Sequence, residues 1–180
     1  MTIQMQADDF FNAYLVLKEN NEALIDRLAN SSVKSLEGGK ILGTLSTMGV
    51  EIVCLAFSVE LYIKDLHCAI KGKAPRGHNI LKLFEKLPEQ IQQDIFAYDS
   101  ISQNPFFTRG NLFSTKRFSS DFSAYDGFID QVKAISDGFE KWRYSYESTS
   151  LRYEISFAIA LIESIKSAAS QVRRAGLGPS

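Results

Sequence analysis

VEIVCLAFSVELYIKDL, residues 50–66, is the stretch that decides the fold class. Its apolar side chains recur at helical spacing, within an arc of about 100° at about 100° per residue. This pattern predicts a helix over residues 46–71 that buries the face formed by Ile52, Leu55, Ala56, Val59, Ile63, Leu66 and Ile70. Because charged residues interrupt the stretch at positions 51, 60, 64 and 65, we expect a core helix rather than a membrane span.

The same helical spacing recurs along the rest of the chain. It predicts long helices over residues 7–28, 121–147 and 151–173. Asn79 is a suitable cap for a short helix over 80–87, Pro88 opens another, and the aperiodic segment 103–120 predicts a long loop. No segment shows the alternation of a strand. We therefore expect an all-α, antiparallel helical bundle of four long helices plus one or two short ones, forming one domain over residues 1–175 with a loose tail at 176–180.

Composition and charge narrow the class of protein. The 180 residues include 20 Lys and Arg against 21 Asp and Glu, so binding to nucleic acid would need a local basic patch. Cys54 and Cys68 fall in one predicted helix, about 21 Å apart along its axis, and cannot pair with each other. The N-terminal residues lack a secretory pattern. Together these features predict a cytoplasmic protein with reduced thiols.

A polar stripe borders the apolar face of the helix predicted over 46–71. Its members are spaced by four, three and four residues: Glu60, Lys64, His67 and Lys71. One interpretation is an exposed row of ion pairs. The other is a polar site, because Arg143 and Glu147 lie at a similar border of the helix predicted over 121–147. In a purely structural version, Arg143 pairs with Glu60 or Glu147 and fixes the register of the helices.

The turn KGKAPRGHN, residues 71–79, is rich in cations. Lys71, Lys73, Arg76 and His78 precede a predicted helix whose N-terminal amides favour anions, so this turn is a candidate phosphate contact. A solvated loop in which His78 only caps or orients the turn has the same composition.

The predicted loop mixes phenylalanines and cations between Phe106 and Phe118. Its aromatic rings would stack on bases or, as is commoner for Phe, pack onto the bundle or a partner chain. The chain has none of the glycine-rich phosphate-binding, nucleophile-elbow or zinc-protease motifs, and its two histidines have no zinc-ligand spacing. We therefore expect no metal and no cofactor.

Two segments taken together resemble the HEPN superfamily of small helical nucleotide-binding and RNase-related proteins. One is FSVELYIKDLHCAIKGKAPRGHNILKLFEKLP, residues 57–88, and the other is FEKWRYSYE, residues 139–147. The matching positions are Ala56, Glu60, Leu61, Lys64, Gly77, His78, Ile80, Trp142, Arg143, Tyr144, Tyr146 and Glu147. The resemblance covers roughly residues 50–165. It implies a bundle of four or more helices, a homodimer, and a polar cleft beside the long central helices.

The chain departs from the HEPN ribonucleases at one point. Many of them carry an Arg followed a few residues later by a catalytic His, whereas no His follows Arg143 here. The resemblance therefore does not carry RNase activity over to this chain. It implies instead a ligand site of Glu60, Lys64, His78, Arg143 and Glu147, in which Lys64 and Arg143 hold phosphate, Glu60 and Glu147 orient these cations, and His78 donates a hydrogen bond or moves a proton. In the alternative interpretation, the same five groups form a conformational lock between helices and bind no ligand.

Three functions are consistent with the sequence. The first is a dimeric RNA- or nucleotide-binding protein of a stress, defence or toxin–antitoxin system. The second is a non-catalytic interaction module whose aromatic loop, including Phe107 and Phe113, contacts a partner protein. The third is an atypical metal-independent RNase, with His78 as acid or base and Arg143 stabilising the developing negative charge.

Overall fold

A computed structural model describes residues 2–30, 50–108, 122–142 and 155–176 of the chain. The described residues are mostly helical and contain no strand, which confirms the all-α class. In chain order, the helices are α1 (Ile3–Asn30), α2 (Val50–Lys71), α3 (Ile80–Glu85), α4 (Glu89–Phe96), α5 (Asp99–Ser102), α6 (Pro105–Thr108), α7 (Ala124–Trp142) and α8 (Ile155–Arg174).

The short helices outnumber the one or two that the sequence predicts. Four of them, α3 to α6, lie within the described residues, and α6 occupies part of the predicted loop. The Asn104 side chain accepts a hydrogen bond from the Phe106 N–H at 3.0 Å, and Pro105 opens the turn with a preset φ. A single helical turn is too short to show a period, which is why the pattern missed it. Residues 109–120 of the predicted loop lie outside the described ranges.

The helix α2 lies at the centre of the described core. It packs against α1, α3, α7 and α8, so nearly every side of it is covered. Leu55, Val59, Ile63 and Leu66 are fully buried, and each such burial contributes about 1.5–3 kcal/mol. This burial confirms the prediction of a core helix.

The contact between α1 and α2 repeats every seventh residue of α1. Ala7, Tyr14 and Asn21 are buried, as in the seam of two closely packed helices. The Asn21 amide donates to Glu51 Oε2 at 2.7 Å and joins the two helices. The seam therefore fixes how α1 lies along the central helix.

An aromatic cluster connects the short helices to α7 and α8. Phe128 is fully buried, and its ring contacts those of Phe84 and Phe157 at centroid distances of 5.5 and 5.7 Å. Phe107 joins this cluster through an edge-to-face contact with Phe157 at 5.2 Å and is only 3% exposed. Phe107 therefore packs onto the bundle, which is one of the alternatives predicted for the aromatic loop, and its buried ring is not available to a partner protein.

One described helix, α8, is long and apolar enough to cross a membrane by length and composition. Within the protein, 56% of its most apolar window is buried. Core helices of globular proteins meet the same criterion, so this property does not distinguish a membrane span from a core helix.

Candidate functional site

The carboxylate of Glu60 on α2 is the centre of the predicted polar site. It is only 2% exposed, and its Oε1 accepts hydrogen bonds from Lys64 Nζ at 2.7 Å and from His78 Nδ1 at 3.0 Å. Three of the five predicted ligand-binding residues are therefore brought together. Arg143 and Glu147 lie outside the described residues, so their part in the site stays a prediction.

The turn after α2 carries His78 back to Glu60. Gly77 has a φ of 104°, a conformation that residues with a side chain rarely adopt. Directly after His78, the Asn79 side chain accepts a hydrogen bond from the Lys82 N–H at 2.9 Å and caps α3, as predicted. A glycine on one side and a helix cap on the other thus fix the backbone of His78.

The Glu60–His78 contact sets the chemistry of the imidazole. Because a carboxylate accepts, Nδ1–H donates to Glu60, and Nε2 of the neutral ring then carries the lone pair. The His78 side chain is 63% exposed, so the ring is available to a ligand. Nε2 can accept a hydrogen bond when the ring is neutral and donate one when it is protonated.

The environment of Glu60 corrects one of the two interpretations of the polar stripe. The i,i+4 ion pair between Glu60 and Lys64 is present, but it is not exposed, because the two side chains are 2% and 13% exposed. Glu60 Oε2 is buried and has no hydrogen-bond partner among the described residues. An unsatisfied buried acceptor costs about 1–3 kcal/mol, so a donor to this oxygen would stabilise the site. The predicted pairing of Arg143 with Glu60 would supply such a donor.

His67 and Lys71 do not bond to Glu60. His67 is buried, and its Nε2–H donates to the Leu83 carbonyl at 2.9 Å, which ties α2 to α3. Burial lowers the pKa of His67, and the charges of Lys71 and Lys86 lower it further. The hydrogen bond to Leu83 acts in the opposite direction and raises it. A neutral, structural histidine follows from this position. Lys71 instead reaches the Lys86 carbonyl at 3.4 Å.

Exposed cations flank the exposed histidine along the chain. We call this set of cations the basic patch, and it consists of Lys71, Lys73, Arg76, Lys82 and Lys86. Glu85 is the sole carboxylate between residues 71 and 86. The patch therefore provides the local positive charge that the near-neutral chain needs in order to bind a polyanion.

A second polar cluster, which the sequence did not predict, lies on another side of α2. The Tyr62 hydroxyl donates to Asp8 Oδ1 on α1 at 2.5 Å, and Lys166 Nζ of α8 lies 3.5 Å from both oxygens. Arg173, further along α8, donates to Asp65 Oδ2 at 2.5 Å. Burial, and then the hydrogen bond to Asp8, raises the pKa of Tyr62, so its hydroxyl stays protonated at neutral pH.

Within the described residues, no three His, Cys, Asp or Glu side chains lie close enough together to hold a metal ion. The fold and site thus define an all-α protein that presents a carboxylate-oriented histidine within a basic patch. No protein-family model, curated protein or solved structure matches this chain.

Proposed function

We propose that this chain is a HEPN-like RNA- or nucleotide-binding protein, and that the basic patch and His78 contact its ligand. The observation that supports this most directly is the exposed His78 ring, which the buried Glu60 carboxylate holds in a segment rich in exposed cations. Lysine and arginine side chains bind phosphate oxygens by charge-assisted hydrogen bonds. A ligand with several phosphates suits such a patch better than an uncharged one.

Each residue of the site takes a separate part in this proposal. The resemblance gives Lys64 a phosphate-binding role, but its side chain is bonded to Glu60 and is 13% exposed. In this proposal Lys64 therefore holds the carboxylate in place, and the exposed cations are the phosphate ligands. Glu60 orients His78, whose Nε2 meets a ribose hydroxyl or a phosphate oxygen. Arg143 and Glu147 complete the polar cleft in the HEPN-like version of the site.

The proposal includes the finer architecture that the resemblance implies. In it, the four long helices form an antiparallel HEPN-like bundle, and the protein is a cytoplasmic homodimer of a stress, defence or toxin–antitoxin system. The proposal predicts that sedimentation velocity will give a dimer.

Fluorescence anisotropy with a labelled single-stranded RNA and a labelled adenine nucleotide tests the binding. We expect Lys73→Gln/Arg76→Gln to weaken binding and to reduce the salt dependence of the RNA affinity by about 0.7 in log–log slope per lost phosphate contact. The matched control, Lys133→Gln/Arg174→Gln, removes the same charge from exposed positions on α7 and α8. Equal loss in both double variants would show only a general charge effect and would reject the basic patch as the site.

His78 itself is tested by two variants, His78→Ala and Glu60→Gln. The Glu60→Gln variant keeps the imidazole ring but replaces the carboxylate that accepts from Nδ1–H with a weaker, uncharged acceptor. We expect both variants to bind RNA or nucleotide more weakly than the wild type, with the same salt dependence. The Lys64→Ala and Arg143→Ala variants complete the set. Wild-type affinity in all four would remove the proposed site.

A protein-interaction function is a second candidate, and Phe106 is the observation that favours it. Its side chain is 75% exposed, next to the buried Phe107. A large exposed aromatic side chain is typical of contact surfaces. Sedimentation of Phe106→Ser at several concentrations tests it, and an unchanged association state would count against this function.

An RNase function is a third candidate, because a carboxylate-oriented imidazole with a free Nε2 has the form of a general base. Gel analysis of the RNA from the binding experiment tests it. Cleavage that is lost in His78→Ala would support it, and cleavage at the wild-type rate in that variant would exclude His78.

A further inference from the structure

A small polar pocket opens between α1, α2 and α8. Its volume is about 50 Å³, and its polar lining consists of Gln4, Tyr62, Asp65, Lys166, Ser170 and Arg173. Tyr62 and Glu60 lie about 160° apart around α2, given about 100° per residue, so this pocket and the basic patch use different sides of the helix. None of its polar residues belongs to the basic patch or to the group formed by Glu60, Lys64 and His78.

We propose that this pocket binds a phosphate group between Lys166 and Arg173. These two cations are seven residues apart on α8 and therefore lie on the same face, with Ser170 between them. Gln4 reaches the pocket from α1 and adds an amide donor. The proposal does not depend on the binding function assigned to the basic patch.

The side chains of the pocket have more N–H donors than their present hydrogen bonds use. Lys166 Nζ has three N–H donors, yet its contacts with Asp8 and Tyr62 are both 3.5 Å long. Charge-assisted hydrogen bonds of this kind are normally about 2.7–2.9 Å long, so Lys166 is loosely held. Its side chain is 46% exposed and can turn towards a ligand.

Arg173 is held firmly on one side. One terminal nitrogen donates to Asp65, whose side chain is 11% exposed, while the Arg173 side chain is 41% exposed. Of the five N–H donors on a guanidinium, the others have no partner among the described residues. Asp65 thus aims the guanidinium, and its remaining N–H groups are available to a ligand.

The ligand class follows from this inventory. A group that only accepts hydrogen bonds satisfies the surplus of donors, and a tetrahedral phosphate has enough oxygens to meet Lys166, Arg173 and Gln4 together. Two carboxylates lie nearby: Asp65 is paired with Arg173, and Asp8 accepts from the Tyr62 hydroxyl and pairs with Lys166 at 3.5 Å. A phosphate group therefore competes with Asp8 for Lys166, and it uses the N–H donors that both carboxylates leave free. The small volume of the pocket admits the phosphate group itself and leaves any attached organic group outside.

Isothermal titration of inorganic phosphate into the full chain tests this, with sodium chloride at matched ionic strength as the reference. We expect saturable binding in the wild type and a loss of about tenfold or more in Lys166→Gln. Arg174→Gln is the matched control, since Arg174 is exposed, is adjacent to Arg173 and does not line the pocket. We expect it to bind as the wild type does. No saturable binding, or equal binding in Lys166→Gln and the wild type, would overturn the proposal.

Two further arms separate this pocket from the basic patch and identify the source of the phosphate. The Lys73→Gln/Arg76→Gln variant should keep the binding that depends on Lys166. If it abolishes all phosphate binding while Lys166→Gln has no effect, the pocket proposal fails and the basic patch is the anion site. Adenosine monophosphate that competes for the Lys166-dependent binding would identify a phosphate ester as a ligand, and failure to compete would restrict the pocket to the inorganic ion.

Discussion

Breaking the buried pair between Glu60 and Lys64 should cost several times more than breaking an exposed ion pair. The atoms are 2.7 Å apart, and the side chains are 2% and 13% exposed. Exposed pairs at this spacing contribute about 0.3–0.5 kcal/mol, whereas hydrogen bonds to buried charged groups contribute about 1.5–3 kcal/mol. We therefore expect a coupling energy of about 1.5–3 kcal/mol between Glu60 and Lys64. For Glu60 and His78 we expect less than about 1 kcal/mol, because the ring is largely solvated.

Double-mutant cycles measure both values. The variants are Glu60→Gln, Lys64→Met and His78→Asn, with the two double variants that contain Glu60→Gln. Urea unfolding followed by far-ultraviolet circular dichroism gives the free energies, provided that the urea m-value stays constant. The reasoning is refuted if the coupling of Glu60 to Lys64 is below about 0.5 kcal/mol, or if it is no larger than the coupling to His78. Either result would mean that burial does not govern this pair.

Four further substitutions test the structural statements on which the sites depend. Asn79→Ala should lower the free energy of unfolding by about 1 kcal/mol through loss of the α3 cap, as measured by urea unfolding. Phe107→Ala should cost about 3–5 kcal/mol because it empties a core position, while Phe106→Ala should stay within about 0.5 kcal/mol; similar thermal shifts for the pair would contradict the assigned burial. Burial lowers the pKa of His67 below its ordinary 6.5, so the unfolded chain binds more protons below that pH. Stability should then fall with falling pH, by at most about 1.4 kcal/mol per unit from this one proton, and His67→Gln should remove that part of the slope.

The helical spacing of the apolar residues made the long helices predictable. The apolar arc of α2 is long enough to identify a core helix, and the structure buries it on nearly all sides. The start of α1 at Ile3 was missed by a few residues, because the stripe used to locate the helix begins later. Helices of one turn, such as α5 and α6, have no period to detect; α6 begins next to the Asn104 side chain, and α5 has no side-chain cap. The antiparallel order of the long helices stays a prediction.

Contacts of the candidate site between residues close in sequence were predictable, and contacts between distant residues were not. Glu60 and Lys64 are one turn apart on a single helix, so their pairing follows from spacing. His78 reaches Glu60 across 18 residues. The turn and its Asn79 cap were recognisable in the sequence, but the grouping of His78 with Glu60 came only from the resemblance to the HEPN superfamily. The pocket on α8 was missed because Arg173 meets Asp65 across 108 residues, and no single-sequence pattern pairs two such helix faces.

Because the basic patch and the α8 pocket lie on different sides of α2, they should act independently. Changes at separate sites that share no partner add to within about 0.5 kcal/mol, or about a twofold change in affinity. We therefore expect Lys166→Gln to leave RNA affinity within about twofold of the wild type in phosphate-free buffer, as measured by anisotropy. Added phosphate should weaken RNA binding equally in the wild type and in Lys166→Gln, since competition then takes place at the basic patch alone. A larger loss of RNA affinity in Lys166→Gln than in Arg174→Gln would instead mean that one ligand spans both sides of α2.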